Sequence, residues 1–149
     1  MRIMLKIDDL RMGLPPQPQT IATGFRYKAH SDHRNGTSGK SQWSLSEEEE
    51  RSVFNAARVR NWLLPSPGWG LHTPNNLVAY LGSSCDGRSI FVAKFVASHA
   101  PMVWYGYPAD HQRNRGDIPP LKLLQEWEAS GLISPSQKRK ILRGQPCSL

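Results

Sequence analysis

Residues 2–7 alternate between apolar and polar positions, with Ile3, Leu5 and Ile7 on one side and Arg2, Met4 and Lys6 on the other, as in a half-buried strand. The following GLPPQP, residues 13–18, cannot continue a strand, because consecutive prolines lack ladder donors and stiffen the chain, so it reads as a linker. A short strand is expected around 21–28. Residues 30–42, HSDHRNGTSGKSQ, are rich in turn formers and nearly free of apolar residues, which predicts a mobile loop.

The period then changes to 3.6. Val53, Ala56, Ala57, Leu63 and Leu64 share one stripe of a helix, with Phe54 and Val59 at its flanks, and Pro65 and Pro67 end it. Two capping boxes compete for its start, Ser44 with Glu47 and Ser46 with Glu49, and the run Glu47 to Glu50 complements the helix dipole. Arg60 falls within the stripe and is expected to snorkel to water. GWGLHTPNN, residues 68–76, reads as a loop by composition.

A β-hairpin is expected next, with 77–81 and 89–98 as its strands and the reversal at Asp86-Gly87. Phe91, Ala93, Phe95 and Ala97 form one apolar face, so Lys94 projects from the other among Ile90, Val92 and Val96. Residues 102–107 supply a third strand, with Trp104 in the core, Tyr105 and Tyr107 on the opposite face, and Tyr107 the most accessible of the three. Asp117, Pro119 and Pro120 suit the first turn of a helix with Leu121, Leu124 and Trp127 on its buried side, closed by Gly131-Leu132. Ser134-Pro135-Ser136-Gln137 then opens a last helix that runs to about Arg143, before Gly144 and Pro146.

These elements predict an α+β fold, a small antiparallel sheet of a hairpin plus one or two further strands, packed against about three helices. Residues 1–18 are an N-terminal strand and Pro-rich linker. Residues 19–149 are one globular domain with a mobile loop at about 30–42 and a C-terminal helical hairpin at 119–143. A hydrophobic fraction of 38% with 12 Gly and 12 Pro implies a modest core and irregular connections. No stretch has the length of a membrane span or the form of a secretory leader, and Cys85 and Cys147 form no CxxC pair, so a cytoplasmic protein with reduced thiols is expected.

Charge adds the functional direction. The formal net charge is +7, and the last sixteen residues hold Lys138, Arg139, Lys140 and Arg143 with no acidic residue. Such a surplus favours a partner with dense negative charge, nucleic acid foremost, because each neutralised phosphate releases counterions. The four basic residues surround Ile141 and Leu142 on the second helix of a pair with helix-turn-helix spacing. The connection WYGYPADHQRNRGDIPP, residues 104–120, adds Arg113 and Arg115 for phosphate, Tyr107 for stacking and His111 for proton transfer, while Asp110 and Asp117 suit turn caps.

The leading expectation is therefore a nucleic-acid-binding protein, for DNA or RNA, that uses the basic C-terminal helix and the 108–118 loop. The second is a metal-independent ribonuclease of toxin type, with His111 and Arg113 assisted by Lys94 or a second histidine such as His99. The third is an interaction module for an acidic protein partner. His30, Asp32 and His33 form H-S-D-H, two potential metal ligands without a third in a fixed element. They read as a solvated surface pair, so neither a metal nor another cofactor is expected.

Overall fold

The computed structural model describes residues 25–98 and 103–149. The expected strand at 2–7, the linker at 13–18 and His99 lie outside the described residues. The chain within them forms seven strands in two sheets and three α-helices. Arg26–Tyr27 (β1), Val103–Pro108 (β7), Val92–Ala97 (β6) and Gly68–Leu71 (β3) lie side by side in that order as a four-stranded, curled half-barrel. Gln42–Trp43 (β2), Gly82–Ser83 (β4) and Ser89–Ile90 (β5) make a second, three-stranded sheet. β1 runs parallel to β7; all other pairings are antiparallel.

This sheet-rich architecture overturns the expected small sheet against three helices. One reason lies in GWGL, whose composition suggests a loop although all four residues are buried in β3. Its glycines serve close packing rather than a turn: a Cβ on Gly70 would lie 2.8 Å from the Phe95 ring and 3.1 Å from Val53. The expected hairpin also shifts. Residues 77–81 form no strand: Ala79 bridges to His72 and Leu81 donates to the Ile90 carbonyl at 2.9 Å, while the pairing around Asp86-Gly87 is Gly82 with Ile90 and Ser83 with Ser89. The longer pairings of β6 go instead to β7, the next strand in the chain, and to β3, more than twenty positions earlier.

Helix α1 covers Glu47–Val59 and starts at Ser46, where the reciprocal Ser46–Glu49 capping box is complete. It ends earlier than the apolar stripe suggests, at Arg60 and the left-handed Asn61 (φ 62°). Phe54, expected at the flank, is fully buried with Val53 and Ala57, whereas Ala56 and Leu64 are exposed. Phe54, Phe95, Trp104 and Tyr27 meet as an aromatic cluster with ring centroids 4.8–6.0 Å apart for the contacting pairs.

Helices α2, Leu121–Ala129, and α3, Pro135–Leu142, form the expected C-terminal pair, with the Ser134–Gln137 capping box in place. Leu124, Trp127, Ile133 and Ile141 are buried between the pair and the core, and the Trp127 ring lies 5.5 Å from Trp62. Leu121 does not join them; it is half exposed. No helix among the described residues is long and apolar enough to cross a membrane.

The loop over residues 30–42 has anchors that its composition does not announce. The Glu50 side chain, on α1, is inaccessible to solvent; Oε1 accepts from Arg34 Nη2 at 2.6 Å and Nε at 2.9 Å, and Oε2 accepts from the Tyr27 hydroxyl. His33 and Ser41 are buried as well. Burial pushes the Glu50 carboxyl above its usual range, while the Tyr27 and Arg34 hydrogen bonds oppose the shift.

Two outcomes test this packing. Trp127→Ala should cost about 3–5 kcal/mol in denaturant unfolding, whereas Trp127→Phe should cost far less, because the buried indole N–H has no acceptor among the described residues. Arg34→Met should cost about 3 kcal/mol at neutral pH, since it strands a buried carboxylate. That loss should shrink as the pH is lowered: a carboxyl with a raised folded pKa stabilises in its protonated form, and this contribution disappears as pH rises through the folded value.

Candidate functional site

Strand β7 sets the geometry. Its alternation places Trp104, Gly106 and Pro108 inward and leaves Val103, Tyr105 and Tyr107 partly exposed. The 30–42 loop folds over this tyrosine face: His33 stacks on Tyr107 with centroids 4.9 Å apart and planes inclined by 13°, and His30 lies 5.3 Å from Tyr105. On the other side stands the 108–118 loop. Between them is a polar cleft of about 480 Å³ whose lining includes His30, His33, Lys40, Tyr107, Arg113 and Asp117.

Two contacts hold His33 and a third holds its loop. Its Nδ1 lies 2.8 Å from the Ser41 carbonyl oxygen, which requires a proton on Nδ1 and leaves Nε2 as the lone-pair nitrogen. Ser41 Oγ donates to the Pro108 carbonyl at 2.7 Å, tying the loop to the end of β7. The Tyr107 ring holds the imidazole plane. Burial pushes the His33 pKa below its ordinary value, the Ser41 hydrogen bond opposes this, and His30 and Lys40 add to the depression. His30 has the opposite polarity: its Nδ1 accepts from the Asp32 amide at 3.3 Å, so the proton sits on Nε2. The two imidazoles are 5.6 Å apart.

The 108–118 loop is a braced structure rather than a loose connection. Asp117, buried, accepts from the Asp110 amide at 2.9 Å. Asp110 takes both ends of the Arg88 guanidinium, at 3.1 and 2.7 Å, and Arg88 also pairs with Asp86. The Ser84 hydroxyl and Arg88 hold the Asp86 carboxyl down to about 2. Lys94 donates to the Gly116 carbonyl at 2.6 Å and stands 3.6 Å from Asp117, lodged 5.6 Å from the Trp69 ring and 5.9 Å from that of Tyr107. Burial, with Asp117 and Tyr105 nearby, raises the Tyr107 phenol pKa, so it stays protonated.

The sequence-predicted residues therefore separate. Arg113 and Tyr107 line the cleft, with Arg113 Nη1 against Cys85 Sγ. Lys94 props the loop from beneath. His111 turns away, and its Nε2 lies 2.7 Å from the Gln145 carbonyl. Tyr107 is no open stacking platform, since His33 covers one face. On α3, Lys138 is engaged by Glu128 at 2.6 Å, whereas Arg139, Lys140 and the C-cap residue Arg143 are exposed.

A second groove, of about 200 Å³, runs between the 108–118 loop and the end of α3. Arg113, Arg115 and Arg143 all line it, with His111 and Asn114, and no carboxylate does. Arg113 and Asn114 border both depressions, so groove and cleft share these two residues as a wall.

His30, His33, Lys40 and Ser41 are the site residues that sequence reasoning missed as a group. H-S-D-H was visible, but only as a question about metal; the pairing of His33 with Ser41 spans a turn with no recognisable spacing. Among the described residues, no group of three or more His, Cys, Asp or Glu is placed to hold a metal ion. Comparison with protein families, characterised proteins and solved structures finds no match for this chain.

The His33 environment makes a prediction for stability. Because its folded pKa lies below the unfolded value of 6.5, the unfolded chain takes up the proton first, and stability should fall as pH drops below about 6.5. Denaturant midpoints measured at about pH 7.5 and about pH 5 should differ less in His33→Gln, which removes the titrating ring, than in the parent protein.

Proposed function

We propose that the protein binds nucleic acid through the groove between the 108–118 loop and α3. The observation that carries this reading is the meeting of Arg113, Arg115 and Arg143 in one concave surface free of carboxylates. Three guanidiniums in a groove suit a run of phosphates, because each offers a planar fork of donors and each neutralised phosphate releases a counterion. Arg139 and Lys140, exposed on the same helix, extend the positive field beyond the groove. The +7 formal charge of the chain works in the same direction.

The footprint differs in emphasis from the one expected from sequence. Lys138 contributes little, since its charge is already matched by Glu128. Tyr107 contributes position rather than stacking, because its face is occupied. His111 holds the C-terminal segment at Gln145 and so helps to shape the groove wall.

The Arg113→Gln/Arg115→Gln/Arg143→Gln variant should bind mixed-sequence DNA and RNA more weakly. Its log Kd against log salt slope should flatten by about 0.7 per lost contact on single strands, or about 0.9 on duplex. Lys138→Gln should change both quantities far less. Fluorescence anisotropy over a salt series checks this. Equal slopes for the parent and the triple variant would remove the groove from the footprint, and a parent that binds neither nucleic acid at low salt would leave an acidic protein as the partner to seek.

A further inference from the structure

The cleft beside the arginine groove contains an arrangement that phosphate binding does not use. His33 Nε2 is a lone-pair nitrogen on an imidazole whose tautomer, plane and position are set by the Ser41 carbonyl, the Tyr107 ring and the Ser41 to Pro108 tie. No described residue hydrogen-bonds that nitrogen. A base oriented by a second group, which is in turn anchored, is the arrangement required for general-base catalysis. His30 presents the complementary Nε2–H from the same turn, with ring centroids 5.6 Å apart. Lys40, the neighbour of Ser41 in sequence, and Arg113, on the facing loop, line the same cleft and bring positive charge to it.

The carboxylates that also line the cleft do not cancel this arrangement. Asp110 is taken by Arg88, and Asp117 by the Asp110 amide and Lys94. Asp32 is the one lining carboxylate without an ion pair among the described residues, a single acid against the two cations Lys40 and Arg113. Arg113 borders both depressions, so a side chain that can hold a phosphate in the groove also faces the cleft.

We propose that the cleft cleaves RNA by transesterification, with His33 as general base, Lys40 as general acid, and the His30 Nε2–H and Arg113 holding the non-bridging phosphate oxygens. His33 Nε2 takes the proton of a ribose 2′-hydroxyl, and the O2′ forms a bond to phosphorus while the bond from phosphorus to O5′ breaks. Lys40 Nζ gives a proton to the departing O5′. The products are a 2′,3′-cyclic phosphate and a 5′-hydroxyl, and no other reactant is consumed. The charge that gathers on the phosphoryl oxygens in the transition state falls among donors already in place. This inference rests on the nucleic-acid reading, and it moves the acid–base chemistry from His111 to the loop on the other side of β7.

The test uses the full chain, mixed-sequence RNA and a chelator, with the same sequence bearing 2′-deoxyribose throughout as a binding probe that lacks the attacking hydroxyl. The parent protein should cleave the RNA, leave cyclic phosphate ends and spare the deoxy probe. His33→Gln and Lys40→Met should each lower the single-turnover rate at saturating protein by about 100-fold or more, while the His33 variant binds the deoxy probe as the parent does. Should His33→Gln fail to fold, Lys40→Met decides alone, because Lys40 is exposed. RNA that is bound but left intact overturns the inference and leaves the binding reading standing. Cleavage that is unchanged in both variants, or that also cuts the deoxy probe, overturns it as well. RNA neither bound nor cleaved at low salt removes the binding reading and this inference together.

Discussion

The buried carboxylate of Glu50 decides where the 30–42 loop lies. A charge with no access to water is costly unless donors surround it, and three are supplied from different parts of the chain: two nitrogens of Arg34 and the hydroxyl of Tyr27. One side chain thereby joins helix α1, strand β1 and the loop. The same constraint that seats Arg34 brings His30 and His33 against Tyr105 and Tyr107, so the cleft is a consequence of a core interaction.

A second set of ionic contacts fixes the opposite wall. Asp110, Asp117, Arg88 and Lys94 brace the 108–118 loop with hydrogen bonds of 2.6–3.1 Å to one another and to backbone groups. The acidic residues near the site are largely consumed in this bracing. What is left over is basic: among the described residues, Arg115, Arg139, Lys140 and Arg143 have no carboxylate partner, and Arg113 reaches only Cys85. The positive surface therefore follows from where the acids were spent as much as from how many bases the chain holds. In a groove walled by protein, that surplus acts at a shorter range and is screened less than on an open face.

Binding and chemistry would then occupy adjoining spaces with different physical demands. Phosphate binding needs charge and tolerates mobile side chains, which suits exposed arginines at a helix end. Proton transfer needs an imidazole of fixed tautomer and orientation, which requires burial and a hydrogen-bonded second group. His33 meets that requirement and His111 does not: both touch a backbone carbonyl, but the Nε2 of His111 is the nitrogen engaged, by a C-terminal segment outside the cleft.

Local pattern determined much of the chain by itself. The capping boxes at Ser46 and Ser134, the inward facing of Trp104, the burial of Leu124 and Trp127, and the C-terminal helix pair all follow from interactions within a few residues, where spacing and side-chain chemistry suffice. The two-sheet architecture did not follow. β3 looks like a loop until Phe95 and α1 occupy the space its glycines leave, and strands of two residues carry no periodicity to read. The candidate site was partly visible, since Arg113, Arg115 and Arg143 are legible as candidate phosphate ligands, but their shared groove depends on the 108–118 loop lying beside the end of α3. Tertiary structure alone made His33 a buried, oriented base and Glu50 a buried anchor, because desolvation and hydrogen bonds between residues 8 to 67 positions apart create those properties, and no local sequence signal records them.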